Sequence, residues 1–397
     1  MCMANWSELP CDILEHLTSF LPVQDYHRFS LVCLNWRMVA KQKRYSPIQQ
    51  IPWLALGTEE NKRKFYNLLE DRHYYLDVPN LRDKVLCGSS YGWLFTLDRK
   101  LKFHMVNPLT RKCYDLPTPP PFLEGDLGMY EQDVPRFLEA ESEDEEIHEF
   151  LREFFEESQR ILVVKSIFDY DPSTRPDFTV VILYGDDDTP AFWRPGDNAW
   201  TDITGLPRAL EDIAFFDGKV YCVQPPIDNN HSVIYTFEVG NDPKATKVEL
   251  QVPRHGNPNY FIEDRYQNFS VNYLVVFDGK LHLVERFIER TEHRLTTEFV
   301  VHELDLEGNN YSTCQHINGH TIFLGGNAPV VINPCQFSHC MKDTIYFTDL
   351  EFGHKELYGA EDLGIYDMIS KSITPYYPRE VFHHTLSAPI WFTPNPW

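Results

Sequence analysis

"AFFDGKVYCV" (Ala214 to Val223) and "VVFDGKLHLV" (Val275 to Val284) are near copies of one another, and their reading decides the fold. Each is an apolar run, an Asp-Gly turn and a second apolar run, the pattern of a β-hairpin. "HCMKDTIYFT" (His339 to Thr348) is a looser third copy, and "SSYGWLFTL" (Ser89 to Leu97) reads as a fourth. All four are expected to form strand, tight turn and strand. Further strands follow, ending in cues such as "CYDLP" (Cys113 to Pro117), "WTDITGLP" (Trp200 to Pro207) and "VELQVP" (Val248 to Pro253). The turns "VNPLT" (Val106 to Thr110), "YDPST" (Tyr170 to Thr174) and "INP" (Ile332 to Pro334) punctuate them.

The equivalent aspartates Asp217, Asp278 and Asp343 are 61 and 65 residues apart. A repeat of this length carrying about four strands is the signature of propeller blades. About six units follow from the pattern: 51–82, 85–117, 160–207, 209–253, 273–317 and 320–378. The closing stretch "APIWFTPNPW" (Ala388 to Trp397) is expected to complete the ring against the first unit. The rival architecture is a sandwich of two sheets. Either way the chain is mainly β after its first 45 residues.

Those first residues read differently. In "NWSELPCDILEHLTSFLPVQDYHRFSLVCLNWRMVA" (Asn5 to Ala40), Ile13, Leu14, Leu17, Phe20 and Leu21 recur at helical spacing after Ser7 and Pro10, a helix-start signal. Pro22 interrupts, Asp25 is placed to cap a second helix carrying Tyr26, Phe29, Val32 and Cys33, and Trp36, Val39 and Ala40 mark a third. Three short helices bury too little surface to be very stable alone, so a neighbour or a partner is expected to complete the unit.

One segment fits no blade. "EAESEDEEIHEFLREFFEES" (Glu139 to Ser158) holds ten acidic residues and one arginine between Glu139 and Glu157. Its apolar positions Ile147, Phe150, Leu151, Phe154 and Phe155 share one helical face, and Ser142 to Glu145 has capping-box spacing. It reads as an acidic amphipathic helix inserted at about 122–160, either lying on the propeller or offering an acidic face to a basic substrate.

Composition narrows the function classes. Of 397 residues 43% are hydrophobic and 14% aromatic, which argues a folded chain. A net charge of −23 works against nucleic acid and anionic membrane as partners. Nine dispersed cysteines without a CxxC pair suggest reduced thiols and a cytoplasmic or nuclear setting. No apolar run approaches the ~18 residues of a membrane span, and no signal-peptide pattern opens the chain. The Asn-x-Ser sequences at Asn5, Asn230, Asn268 and Asn310 are then chance matches.

The opening segment resembles an F-box, the helical module that docks onto the Skp-type adaptor of cullin ubiquitin ligases. The resemblance runs through Leu9-Pro10, Ile13-Leu14, Leu17, Leu21-Pro22, Asp25, Phe29, Val32-Cys33 and Trp36-Arg37. Leu34 departs from it, standing where the family often carries a basic residue. The C-terminal part resembles the large plant F-box family with a kelch-like β-propeller of unassigned function (the DUF295 type), through "IFLGGN" (Ile322 to Asn327), "TIYFTD" (Thr344 to Asp349), "EDLGIYDM" (Glu361 to Met368) and "PIWFTPNPW" (Pro389 to Trp397). The glycine-pair and tryptophan repeat of true kelch units is missing, with Gly325-Gly326 the one pair.

The resemblance implies an F-box over 1–45 and a presumed substrate-binding propeller over 46–397. Its adaptor contacts would come from Leu9, Pro10, Ile13, Leu14, Leu17, Leu21, Pro22, Asp25, Val32, Cys33, Trp36 and Arg37. Leu9, Ile13, Leu14, Leu17 and Leu21 are expected in the groove, and Trp36 is expected to pin the third helix. The partners implied are a Skp-type adaptor, through it a cullin, and a target protein the sequence does not name.

Catalytic signals are weak. "GSSYG" (Gly88 to Gly92) matches the G-x-S-x-G elbow formally, but "WLFTL" after it is a strand where the elbow needs a helix. Cys335, His339 and Cys340 offer soft ligands, with His316 and His320 as remote additions, yet no second pair has zinc spacing. "GDDDTP" (Gly185 to Pro190) lacks the glycine and terminal glutamate of a calcium loop. No phosphate-cradling loop is present, so the expectation is a non-catalytic receptor with no cofactor and no metal. The alternative is a small-molecule-binding or enzymatic propeller with a vestigial or regulatory F-box, which a convergent polar cluster on the propeller axis would favour.

Overall fold

The Asp-Gly repeats form the tight turns that the sequence demands. Asp217 and Gly218 take φ of 47° and 74°, and Asp278 and Gly279 take 50° and 70°. Two successive residues in the left-handed region make a turn whose twist matches the flanking strands, and Asp-Gly adopts it at little cost. This computed structural model describes residues 6–18, 20–21, 23–42, 51–59, 61–68, 70–82, 84–98, 102–117, 163–185, 188–225, 231–240, 246–253, 268–290, 294–333, 341–348, 362–377 and 389–396. The acidic helix expected within 122–160, Pro22, and the cysteines and histidine of the Cys335–Cys340 cluster lie outside them.

Six sheets form a six-bladed propeller. The second, third, fourth and fifth blades are four-stranded meanders, running through 85–115, 163–202, 212–253 and 268–314. The first blade joins strands Trp53–Glu59, Lys62–Asn67 and Arg72–Leu76 to Ile390–Phe392 from the other end of the chain. Trp53 pairs with Phe392, Leu54 with Trp391 and Ala55 with Ile390, so the C-terminal stretch closes the ring as expected.

Innermost strands pack against one another around the axis, and both faces of each blade are covered by neighbours. Strands near the centre are therefore buried throughout, as in Trp93–Leu97 and Val180–Tyr184, and read as continuous apolar runs. Outermost strands such as Asn310–Cys314 keep exposed positions.

The sixth blade departs from the expected hairpin. It has five strands in the order Val330–Ile332, Thr321–Leu324, Thr344–Phe347, Gly364–Asp367, Ser372–Thr374. The strand after the Asp343 turn pairs with Thr321–Leu324, in parallel, from Thr321↔Thr344 to Leu324↔Phe347. All four side chains of Thr321–Leu324 are buried, so this pairing encloses an apolar strand.

Beyond this strand the chain crosses the axis. Gly326 lies against Ile390 of the first blade, and its carbonyl is within 3.5 Å of where a Cβ on Gly88 would stand. Ala328 donates its N–H to Ser89 O of the second blade at 2.9 Å and packs on the core between the third and fourth blades. Gly88 makes room for this close approach, since a Cβ there would meet Ser166 Oγ at 2.0 Å and displace that side chain.

Candidate functional site

Three helices precede the propeller: α1 (Cys11–Thr18), α2 (Val23–Ser30) and α3 (Leu34–Ala40). Ser7 lies in a 3-10 turn rather than capping α1, and Pro10 opens the helix, its carbonyl accepting the Leu14 N–H at 3.1 Å. Asp25 sits within the first turn of α2 and pairs with Arg28 at 2.9 Å; its charge there favours the helix dipole without capping it.

A small core holds the module together. Leu14, Tyr26, Phe29, Val39 and Ala40 are buried, with Leu9, Leu21 and Trp36 packed against them. The Tyr26 hydroxyl donates to Ala40 O at 2.7 Å, and burial pushes its pKa up to about 12. Trp36 packs at a tilt against Phe29, ring centroids 4.5 Å apart, and donates its indole N–H to Trp6 O at 3.0 Å, pinning α3 to the turn before α1. Asn35 reaches Ser7 O and Leu9 O, both at 3.4 Å.

This core sorts the residues singled out from the sequence. Leu14 is 0% exposed, so it belongs to the module's interior and not to a surface groove. Leu9, Leu21 and Trp36 are half-buried parts of the same core, because a unit this small needs them to enclose Leu14 and Phe29. Ile13 and Leu17, by contrast, are 46% and 41% exposed, four residues apart on one face of α1. Pro10, Val32 and Arg37 are exposed, and Cys33 and Asp25 half-buried. Phe20, Leu31, Leu34 and Met38 are also exposed and were not among the expected adaptor contacts. Leu34 and Met38 share one face of α3 by the same spacing that marks α1, so that signal was available.

The opposite side of the module rests on the propeller. Val23 of α2 is buried in the core of the first two blades, beside Trp53, Leu94 and Ile390. His27 Nδ1 is 3.2 Å from Pro396 O. Asn395, next to it, donates to Tyr91 O and Asp171 Oδ2, both at 2.9 Å, and accepts from Asn107 Nδ2 at 3.0 Å. The "PNP" stretch thus ties the second and third blades to α2, leaving the apolar faces of α1 and α3 uncovered by any described residue.

Two buried ion pairs lie between blades. Lys165 and Asp212 pair at 3.0 Å between the third and fourth blades, and burial pushes the Asp212 carboxyl up. Arg286, wholly enclosed, binds Asp362 at 2.8 Å, Thr348 O at 2.7 Å, Thr296 Oγ1 at 2.7 Å and Tyr273 OH at 3.1 Å. These charges are spent on joining blades, and the Gly325–Ala328 crossing occupies the centre. Ser90 ends one strand and Trp93 begins the next, so the formal G-x-S-x-G match is a hairpin with no elbow. His320 Nε2 is turned to Asp278 Oδ1 at 2.7 Å.

Family comparisons agree with both halves of this architecture. The KIB1-4 beta-propeller model matches residues 65–367, and the F-box domain model matches residues 6–46. The chain belongs to the KIB1-4 beta-propeller family, and it is an F-box protein. It is similar to three Arabidopsis thaliana proteins over nearly its whole length. The F-box/kelch-repeat protein At1g57790 is 26% identical, covering 88% of this chain and 85% of its own. The F-box protein At4g22180 is 24% identical over 98% of this chain and 94% of its own. The F-box protein SKIP23 is 22% identical over 100% of this chain and 96% of its own.

Proposed function

We propose that this F-box protein is the substrate-recognition subunit of an SCF-type (Skp–cullin–F-box) E3 ubiquitin ligase. The observation that carries the reading is the division of labour within the helical module. It has a closed core of its own, one helix seated on the propeller, and large apolar side chains left exposed on the other two. Such side chains, chiefly Ile13 and Leu17 with Phe20, Leu34 and Met38, suit a helix-in-groove contact with a Skp-type adaptor. Pro10, Val32, Cys33 and Arg37 border that face, while Leu9, Leu14, Leu21 and Trp36 support it from behind.

On this reading the adaptor recruits a cullin, and the propeller, over 46–397, holds a target protein through its loops, as rigid scaffolds with variable loops do. The chain does no covalent chemistry itself. Its contribution is to make ubiquitin transfer effectively intramolecular. Reconstitution tests this directly. The full chain with adaptor, cullin and ring subunit should sediment as one complex and support ubiquitin transfer in the presence of a target. An adaptor complex that fails to recruit cullin would reduce the protein to a scaffold acting outside the ligase.

A further inference from the structure

We propose that the outer edge of the second blade holds a zinc-class divalent metal ion between His104, Cys113 and Asp115. His104 stands directly opposite Asp115 in the pairing of strands Phe103–Val106 and Cys113–Asp115. Cys113 is two residues before Asp115 on the edge strand, so all three side chains project to one side of the sheet. Their ligand atoms lie within 4.8 Å of one another. One imidazole, one thiol and one carboxylate are donors that zinc accepts, with a fourth position left for water.

Asp98 prepares the histidine. Its Oδ1 accepts the Lys102 N–H at 3.0 Å, fixing the carboxylate, and its Oδ2 is 3.0 Å from His104 Nε2. The other ring nitrogen, Nδ1, faces Asp115 Oδ1 at 2.8 Å, and the Cys113 thiol donates to the same oxygen at 4.0 Å. Imidazole and thiol therefore converge on one carboxylate oxygen, the place where a metal ion would engage all three side chains. The Asp98–His104 contact is the outer-shell bond that orients a metal-binding imidazole.

Metal binding would release the Cys113 thiol proton. The Asp115 side chain is 85% exposed, which gives an ion a way in. The ion would pin a three-residue edge strand to its neighbour just before the chain leaves the blade. Sequence spacing hid the set, because nine residues and a strand reversal separate His104 from Cys113.

The test is metal titration of the chelator-treated full chain. Zinc should bind with one equivalent and raise the melting temperature. Cobalt should give a thiolate-to-metal charge-transfer absorption that disappears in Cys113→Ser and persists in Cys314→Ser, a half-buried thiol on the matching edge strand of the fifth blade. Asp98→Asn should keep the absorption and weaken binding roughly 10- to 100-fold. Absence of stoichiometric zinc, or an absorption that survives Cys113→Ser, would overturn the proposal. Should Cys113→Ser fail to fold, cadmium NMR of the wild-type chain decides, since a shift without sulfur coordination has the same force.

Discussion

Leu14 and Leu17 are three residues apart, share a helix, and serve opposite ends. Leu14→Ala removes a side chain enclosed by Tyr26, Phe29 and Val39, and should destabilise the helical module by about 2–5 kcal/mol. Leu17→Ala should leave its melting almost unchanged, because that side chain already meets solvent. Thermal melts of the two variants followed by far-ultraviolet circular dichroism separate these outcomes. Periodicity alone placed both leucines on one apolar stripe. It could not tell which part of the stripe closes on the module's own core, since that depends on where α2 and α3 pack. Val23 escaped notice for a related reason: its partners lie some 30 residues or more away in the propeller. At the junction of the fifth and sixth blades, Asp362→Ala would leave the enclosed Arg286 guanidinium without its carboxylate. A loss of about 3–5 kcal/mol is expected, because an uncompensated buried charge is the costly outcome. Denaturant titration of the full chain measures it.

Strands and hairpins were the most legible elements. The turn residues dictate left-handed backbone, so the repeats around Asp217 and Asp278 located two blades to within a few residues. The sixth blade was less legible. Its copy of the repeat keeps the strand after the turn, but that strand pairs in parallel with Thr321–Leu324, earlier in the chain, a non-local choice that no hairpin rule encodes. On the fifth blade, His282 stacks 3.5 Å from Phe277, is almost wholly buried, and is held neutral with its pKa pushed down to about 4. The unfolded chain takes up that proton near the ordinary histidine value of ~6.5, and the folded chain only near 4. Between those values the unfolded state binds more protons, so this residue's contribution to stability is intact above about pH 6.5 and is lost progressively as pH falls towards 4. Melts at pH 7 and pH 5 should show a smaller acid-induced drop for His282→Phe than for wild type, an unchanged drop being the contrary result.

At the scale of the whole molecule, the ring is closed by its last residues and the helical module is mounted on that closure. Removing residues 389–397 strips the inner strand from the first blade and the Asn395 and Pro396 contacts together, so unfolding should lose its cooperativity and proteolysis should begin at the first blade. The sequence announced the closure through the apolar "PIWF" run, whereas the seating of α2 became evident only once the ends were brought together. The mounting matters for function, since an adaptor-bound ligase can reach a propeller-bound target only over a defined span. The central claim is that the exposed face of α1 docks a Skp-type adaptor. The measurement that tests it most directly is the affinity of the full chain for that adaptor, compared with Leu17→Asp. Tight binding by wild type, lost in a Leu17→Asp chain whose melting is unaltered, is the result expected. No binding by wild type, or equal binding by both, would contradict it.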